Sequence, residues 1–337
     1  MTNDIYITLD YELCLGEKTG SVKNTIIMPM EKLAEVFDRY NVKVTLMVDS
    51  SYLYMLNKNK NEFPSLKDDY DLIVSQLKSL SDVGHSIQLH IHPQWYYSRF
   101  DGNEWKMDFD HYKLSDMSDD DVTFYFKESK LLLESIIGKK VMAFRAGGFS
   151  LQSYKDHSQL LVSNNIKIDT SVVPGTFEKS KNHWYDFRNL PNKTYRFSKD
   201  ITKIDKHGEL IEMPVSTVSF NPLHYLLLRK KIEYTQSSFK PYTEGRGIVE
   251  SYSKYSLWFG LFKQLFRTKF ATASIDNFSS CLLPLVYKRF RAISGNNCFV
   301  IIGHPKSIST NSIRFTEEFI KKTIHNNKYK TLEDFSF

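Results

Sequence analysis

Two short residue pairs carry the first chemical signal in this chain. His90 and His92, in the run His90-Ile91-His92-Pro93, close an apolar stretch that begins at Ser86. Alternate residues of a strand point the same way, so the two imidazoles should lie side by side and offer two nitrogens to a zinc ion. Asp10 and Glu12, in Asp10-Tyr11-Glu12, repeat that spacing with carboxylates after the apolar run Ile5 to Leu9. One carboxylate can bind the cation while the other, close to it, works as a base. Each pair also has a plainer reading, as a strand histidine pair without metal or as an acidic turn.

Other ionisable residues share the same kind of position. Asp49 follows Val42 to Val48, Arg145 follows Val141 to Phe144, Asp169 follows Ile166 to Ile168, and His304 follows Cys298 to Ile302. Arg145 leads into Ala146-Gly147-Gly148, where paired glycines let the backbone turn tightly beside a ligand. A guanidinium there can grip a carboxylate through two hydrogen bonds. His85 lies on the opposite strand face from His90 by odd–even alternation. His111, His157, His183, His207, His224 and His325 lack such context and read as surface or core residues.

The elements that must position these groups can be read from periodicity. Helical spacing marks Met30 to Tyr40, the stretch around Leu72, Leu77 and Leu80 ending near Gly84, Asp119 to Ile137, Tyr154 to Asn164, and Phe315 to His325. Strand-like runs fall between them, with Glu209 to Met213 another. Strands alternating with helices predict right-handed βαβ units and a parallel sheet, open or closed into a barrel. All strand C-termini of such a sheet open on one face, where active sites are built.

Composition limits the alternatives. Of 337 residues, 41% are hydrophobic and 25% charged, which excludes wholesale disorder. Three cysteines, Cys14, Cys281 and Cys298, are too few and too scattered for a disulfide framework. A net charge of +6 is too mild to argue for nucleic acid. No apolar run is long enough to span a bilayer, and the first residues lack the basic and apolar regions of a secretory signal. A cytoplasmic protein is therefore expected.

One stretch departs from the alternation. Between Phe220 and Ala292 stand twelve basic and four acidic residues, giving +8 against −2 for the remainder. Leu257, Trp258, Leu261, Phe262, Leu265 and Phe266 fall on one helical face, bordered by Lys254, Lys263, Arg267 and Lys269. This could be a core-facing helix with a solvated basic side. It could also be a surface for weak contact with anionic lipid at the inner face of the membrane.

The order of motifs resembles the polysaccharide deacetylases, a metal-dependent carbohydrate N-deacetylase superfamily. Thr8-Leu9-Asp10-Tyr11-Glu12 stands where that family has Thr-Phe-Asp-Asp-Gly, and Val44 to Val48 resembles its second strand. Gly84-His85-Ser86-Ile87-Gln88-Leu89-His90 resembles its run into the metal-binding histidines. Phe144 to Phe149 resembles the arginine motif, Asp169-Thr170-Ser171 the aspartate motif, and Ile302-Gly303-His304 the closing histidine motif. The wider pattern is similar to a cytoplasmic-looking subgroup linked to surface-polysaccharide synthesis.

The resemblance implies an irregular (β/α)7 TIM-like barrel over residues 1–337, a single domain with 220–292 as an insertion. It implies a hydrolase of a carbon–nitrogen amide bond that removes an acyl group, acetyl first, from an amino sugar. One divalent cation, zinc by expectation, would be held by Glu12, His90 and His92. Asp10 would be the base, His304 the acid, Arg145 would position Asp10, and Asp169 would support the histidine. The substrate would be an amino sugar, a sugar nucleotide or a lipid-linked saccharide. Two departures stand out: Tyr11 replaces the family's second aspartate, and Gln94 stands where His-x-x-x-His spacing asks for histidine. A glycan-binding barrel without catalysis, or hydrolysis of an ester or phosphate on the same scaffold, are the alternative readings.

Overall fold

A computed structural model of the chain describes residues 4–235, 239–247, 269–292 and 298–336. Its strands in chain order are β1 (Asp4–Tyr11), β2 (Thr45–Asp49), β3 (Ser86–Ile91), β4 (Arg99–Phe100), β5 (Trp105–Lys106), β6 (Ala143–Ala146), β7 (Ile168–Asp169), β8 (Phe177–Lys179), β9 (Trp184–Asp186), β10 (Tyr195–Phe197), β11 (Leu210–Glu212), β12 (Thr217–Phe220), β13 (Lys269–Thr272), β14 (Cys298–Gly303) and β15 (Lys328–Lys330). The nine-stranded main sheet runs β10-β11-β7-β6-β3-β2-β1-β14, with β15 pairing the start of β1. Strands β11, β7, β6, β3, β2, β1 and β14 are mutually parallel, and β10 is antiparallel to β11.

The sheet curls into a half-barrel. Beyond β14, Ile302 donates its N–H to Ala273, and Ile275 donates to Ile302. Ser216 in turn donates its N–H to Val300, and Val215 donates to Val172 just past β7. These short segments draw the two ends of the sheet toward each other. The expected barrel-like α/β fold is the one observed.

The central strands are buried on both faces, and this explains their nearly unbroken apolar runs. Helices cover the outside: α1 (Met28–Arg39), α2 (Ser50–Asn59), α3 (Pro64–Asp82), α4 (Gln94–Tyr97), α5 (Asp119–Ile137), α6 (His157–Ser163), α7 (Pro222–Thr235), then Ser279–Arg291 and Thr310–Thr323. Helix α5 follows its sequence signals closely. Ser118 caps it by accepting the Asp121 N–H, three aspartates occupy its first turn, and Gly138 ends it in the left-handed conformation. The last long helix begins at Thr310, earlier than the spacing around Phe315 suggested, because Ser309 caps it by accepting the Ser312 N–H.

The apolar face expected from Leu257 to Phe266, with Lys254, Lys263 and Arg267, lies outside the described residues. Of the described parts of 220–292, Ser279–Arg291 packs on the sheet. Leu283, Val286 and Phe290 of Ser279–Arg291 are buried in the main core, and β12 pairs with β13. Among the described residues no helix is long and apolar enough to cross a membrane.

Candidate active site

Strand register sets the first positions. Asp49 pairs with His90 across β2 and β3, and His90 pairs with Arg145 across β3 and β6. Three ionisable groups from adjacent strands thus reach one level of the sheet. Glu12 and His92 lie one residue past β1 and β3, and each keeps the side taken by its partner two residues earlier. The alternation read from sequence therefore persists just beyond the strands.

Glu12, His90 and His92 form a tight triangle. His92 Nε2 lies 2.6 Å from Glu12 Oε2, His90 Nε2 lies 3.2 Å from the same oxygen, and the two ring nitrogens are 3.0 Å apart. His90 Nδ1 faces the Arg145 carbonyl oxygen at 2.7 Å. A carbonyl only accepts, so Nδ1 carries a proton and Nε2 is the ring nitrogen aimed at the triangle. Two imidazole nitrogens and one carboxylate oxygen converging on one point suit a divalent cation of the zinc type. Gln94 is fully buried but lines no part of the cavity; the second imidazole comes from His92.

Asp10 is held from beneath. The Arg145 side chain is fully buried and donates from Nη1 to Asp10 Oδ1. It also donates from Nη2 to the Thr8 hydroxyl at 2.8 Å and from Nε to the Thr170 carbonyl at 3.0 Å. Burial by itself would raise the Asp10 pKa. The Arg145 guanidinium, with His90 and His304, outweighs it and holds the carboxyl well below the usual range. Asp10 Oδ2 stays turned toward His304 Nε2 at 3.4 Å and His90 Nε2 at 3.9 Å. For Glu12, burial is likewise outweighed by Lys306 and His92, so it too is held ionised.

His304 is fixed by a residue that the sequence reading did not single out. Asp276 accepts the His304 backbone N–H through Oδ1 and faces ring Nδ1 with Oδ2, each at 2.7 Å. Burial works against a charged ring here, but Asp276 and then Asp10 push its pKa up to about 10. The expectation that Asp169 supports this histidine is corrected by the geometry. Asp169 accepts the N–H and hydroxyl of Ser171, both at 2.9 Å, and stands opposite Glu212 in the β7–β11 register.

Lys306 is the second missed residue. Its ammonium donates to Glu12 Oε1 at 2.6 Å and to the Leu13 carbonyl at 3.3 Å. His183, read from sequence as surface or core, lines the cavity with Tyr112 and Phe149. His85 behaves as expected, accepting the Val44 N–H on Nδ1, and burial lowers its pKa to about 4. His157 is a core residue bonded to Ile201 and Tyr154.

All of this surrounds one cavity of about 540 Å³, lined by Asp10, Glu12, His90, His92, His304 and Lys306 on one side. The turn after β6 needs its glycines. A Cβ on Gly147 would sit 2.6 Å from His92 Nδ1 and 2.7 Å from the Ile91 carbonyl. Gly148 has φ +56° and Phe149 φ +59°, so two successive left-handed residues swing the aromatic ring to the cavity.

The sequence matches no protein-family profile and no curated relative. Solved structures do resemble it. A protein of Mycobacterium smegmatis described as a polysaccharide deacetylase is 14% identical, with a TM-score of 0.50 over 99% of this chain and 89% of its own. The fold is that of the polysaccharide deacetylases. This scaffold also underlies glycoside hydrolase family 57 branching enzymes. The enzyme from Thermococcus kodakaraensis is 11% identical with a TM-score of 0.52, covering 100% of this chain and 72% of its own. That from Pyrococcus horikoshii is 9% identical with a TM-score of 0.53, covering 99% and 70%. With one fold serving both kinds of protein, the residues of the site must argue the chemistry.

Proposed function

We propose that the chain is a metal-dependent hydrolase that removes an N-acyl group, acetyl first, from an amino sugar. The observation that carries this is the Glu12–His90–His92 triangle, flanked by a carboxylate fixed by Arg145 and an imidazole fixed by Asp276. Glu12, His90 and His92 hold the cation, zinc by preference. When bound, it polarises water and the amide carbonyl and offsets negative charge developing on oxygen.

Asp10 takes the proton from the attacking water. Its Oδ1 is engaged by Arg145, so Oδ2 is the oxygen turned to the cavity. His304 gives a proton to the leaving amine from Nε2, while Asp276 stabilises its charged ring. One group held ionised and another held protonated, 3.4 Å apart, form a base and acid that titrate far from each other. Tyr112, Phe149 and His183 supply aromatic faces against which a sugar ring can pack.

The substrate fits a sugar nucleotide or a lipid-linked saccharide made during surface-polysaccharide synthesis on the cytoplasmic side. Exposed Leu223 and Leu227 of α7, next to Arg229 and Lys230, favour weak contact with anionic lipid there. The test is release of acetate and free amine from an N-acetylated sugar nucleotide and from chitin oligomers, by purified protein loaded with zinc. Activity that disappears in Asp10→Asn and His304→Ala supports the reading. Unchanged activity in both variants would overturn it.

A further inference from the structure

Glu12 divides its two oxygens between two neighbours. Oε2 faces the imidazoles, 2.6 Å from His92 Nε2 and 3.2 Å from His90 Nε2. Oε1 accepts from Lys306 Nζ at 2.6 Å, and His304 Nε2 lies 3.9 Å from it. A charge-assisted bond of this length is among the stronger contacts a carboxylate makes, and it fixes the plane of the group.

Lys306 is itself rigidly mounted. It lies in the short turn Pro305–Ser307, closed by the Ser307 N–H donating to the His304 carbonyl and the Ile308 N–H donating to Pro305. The turn begins at His304, whose backbone is tied to Asp276. The ammonium also donates to the Leu13 carbonyl, next in chain to Glu12. Lysine and carboxylate thus approach from two anchored backbones, and little freedom remains for Glu12 to rotate.

We propose that Lys306 is a positioning residue that restricts Glu12 to metal binding through Oε2 alone. This rests on the cation reading given above. A carboxylate free to turn can present both oxygens to one cation and fill an additional coordination position. With Oε1 committed to Lys306, a cation would meet two imidazole nitrogens and one oxygen. A position would then be left open for water and the amide carbonyl.

Cobalt(II) in place of zinc gives a direct readout, because its visible absorption is intense when four-coordinate and weaker at higher coordination. Wild type, Lys306→Arg and Lys306→Met are compared at equal cobalt loading. The expected result is an intense band in wild type, kept by Lys306→Arg and several-fold weaker in Lys306→Met as Glu12 chelates. An unchanged band in loaded Lys306→Met overturns the proposal while leaving the metal reading intact. No cobalt uptake by wild type sinks both. If Lys306→Met does not fold, Lys306→Ala is measured with and without added methylamine. Recovery of the band with the amine supports the proposal, and its absence overturns it.

Discussion

Asp276 grips His304 twice, at the backbone N–H and at ring Nδ1, with 2.7 Å at both contacts. One carboxylate thereby fixes the position of the residue and the protonation of its ring. Nε2 is left to face Asp10 and the cavity.

Asp276→Asn should separate those effects. The amide can still accept the backbone N–H, but the negative charge that raises the His304 pKa is gone. A general acid must be protonated to act, so the alkaline limb of the pH–rate profile should move toward lower pH by a unit or more. Steady-state rates across pH 6 to 10 check it, and an unmoved limb would remove Asp276 from this role.

Removing either imidazole should empty the metal site. His90→Ala and His92→Ala each leave two protein ligands, too few to retain zinc through purification. Elemental analysis of protein prepared without chelator should find near-stoichiometric metal in wild type and His304→Ala, and traces in the other two. Full retention by His92→Ala would mean that another group supplies the third ligand.

Arg145→Met should cost stability as well as activity. Its side chain is fully buried and Asp10 is nearly so, and the guanidinium is the closest cation to that carboxylate. Leaving a buried charge without its partner costs about 3–5 kcal/mol. A urea melt at neutral pH should show the loss. A second substitution, Asp10→Asn, should recover part of it by removing the stranded charge.

Glu212 makes stability depend on pH. Burial, and then the Asp169 carboxylate opposite, raise its pKa well above the ordinary value. Below about pH 4.3 the folded and unfolded chains both hold the proton and this group is neutral in effect. As pH rises past that point the unfolded chain releases it while the folded chain keeps it, so stability falls until the folded pKa is passed. Glu212→Gln keeps an acceptor for the Val172 N–H, without a titrating proton. Its urea midpoint should vary less between pH 5 and 8.5 than that of wild type. Equal slopes would show that this pair does not titrate on unfolding.

Much of this site could be read from the chain itself. Asp10 with Glu12 and His90 with His92 are each two residues apart at strand ends, and a strand's period of two forces each pair to one side. Arg145 and His304 were visible for a similar reason, as ionisable groups closing apolar runs that parallel strands align. Asp276 and Lys306 carried no such mark. Asp276 lies where the alternation of elements fades, and only the pairing of Ala273–Ile275 with β14 brings it beside His304. Lys306 looks like any solvated lysine until the turn after His304 aims it at Glu12, 294 residues away in the chain. The exchange of Asp169 for Asp276 has the same origin. Local periodicity fixes the face on which a side chain lies, because it follows from backbone geometry a few residues long. Which carboxylate meets which cation depends on how distant segments close the curled sheet, and only the folded chain sets those separations.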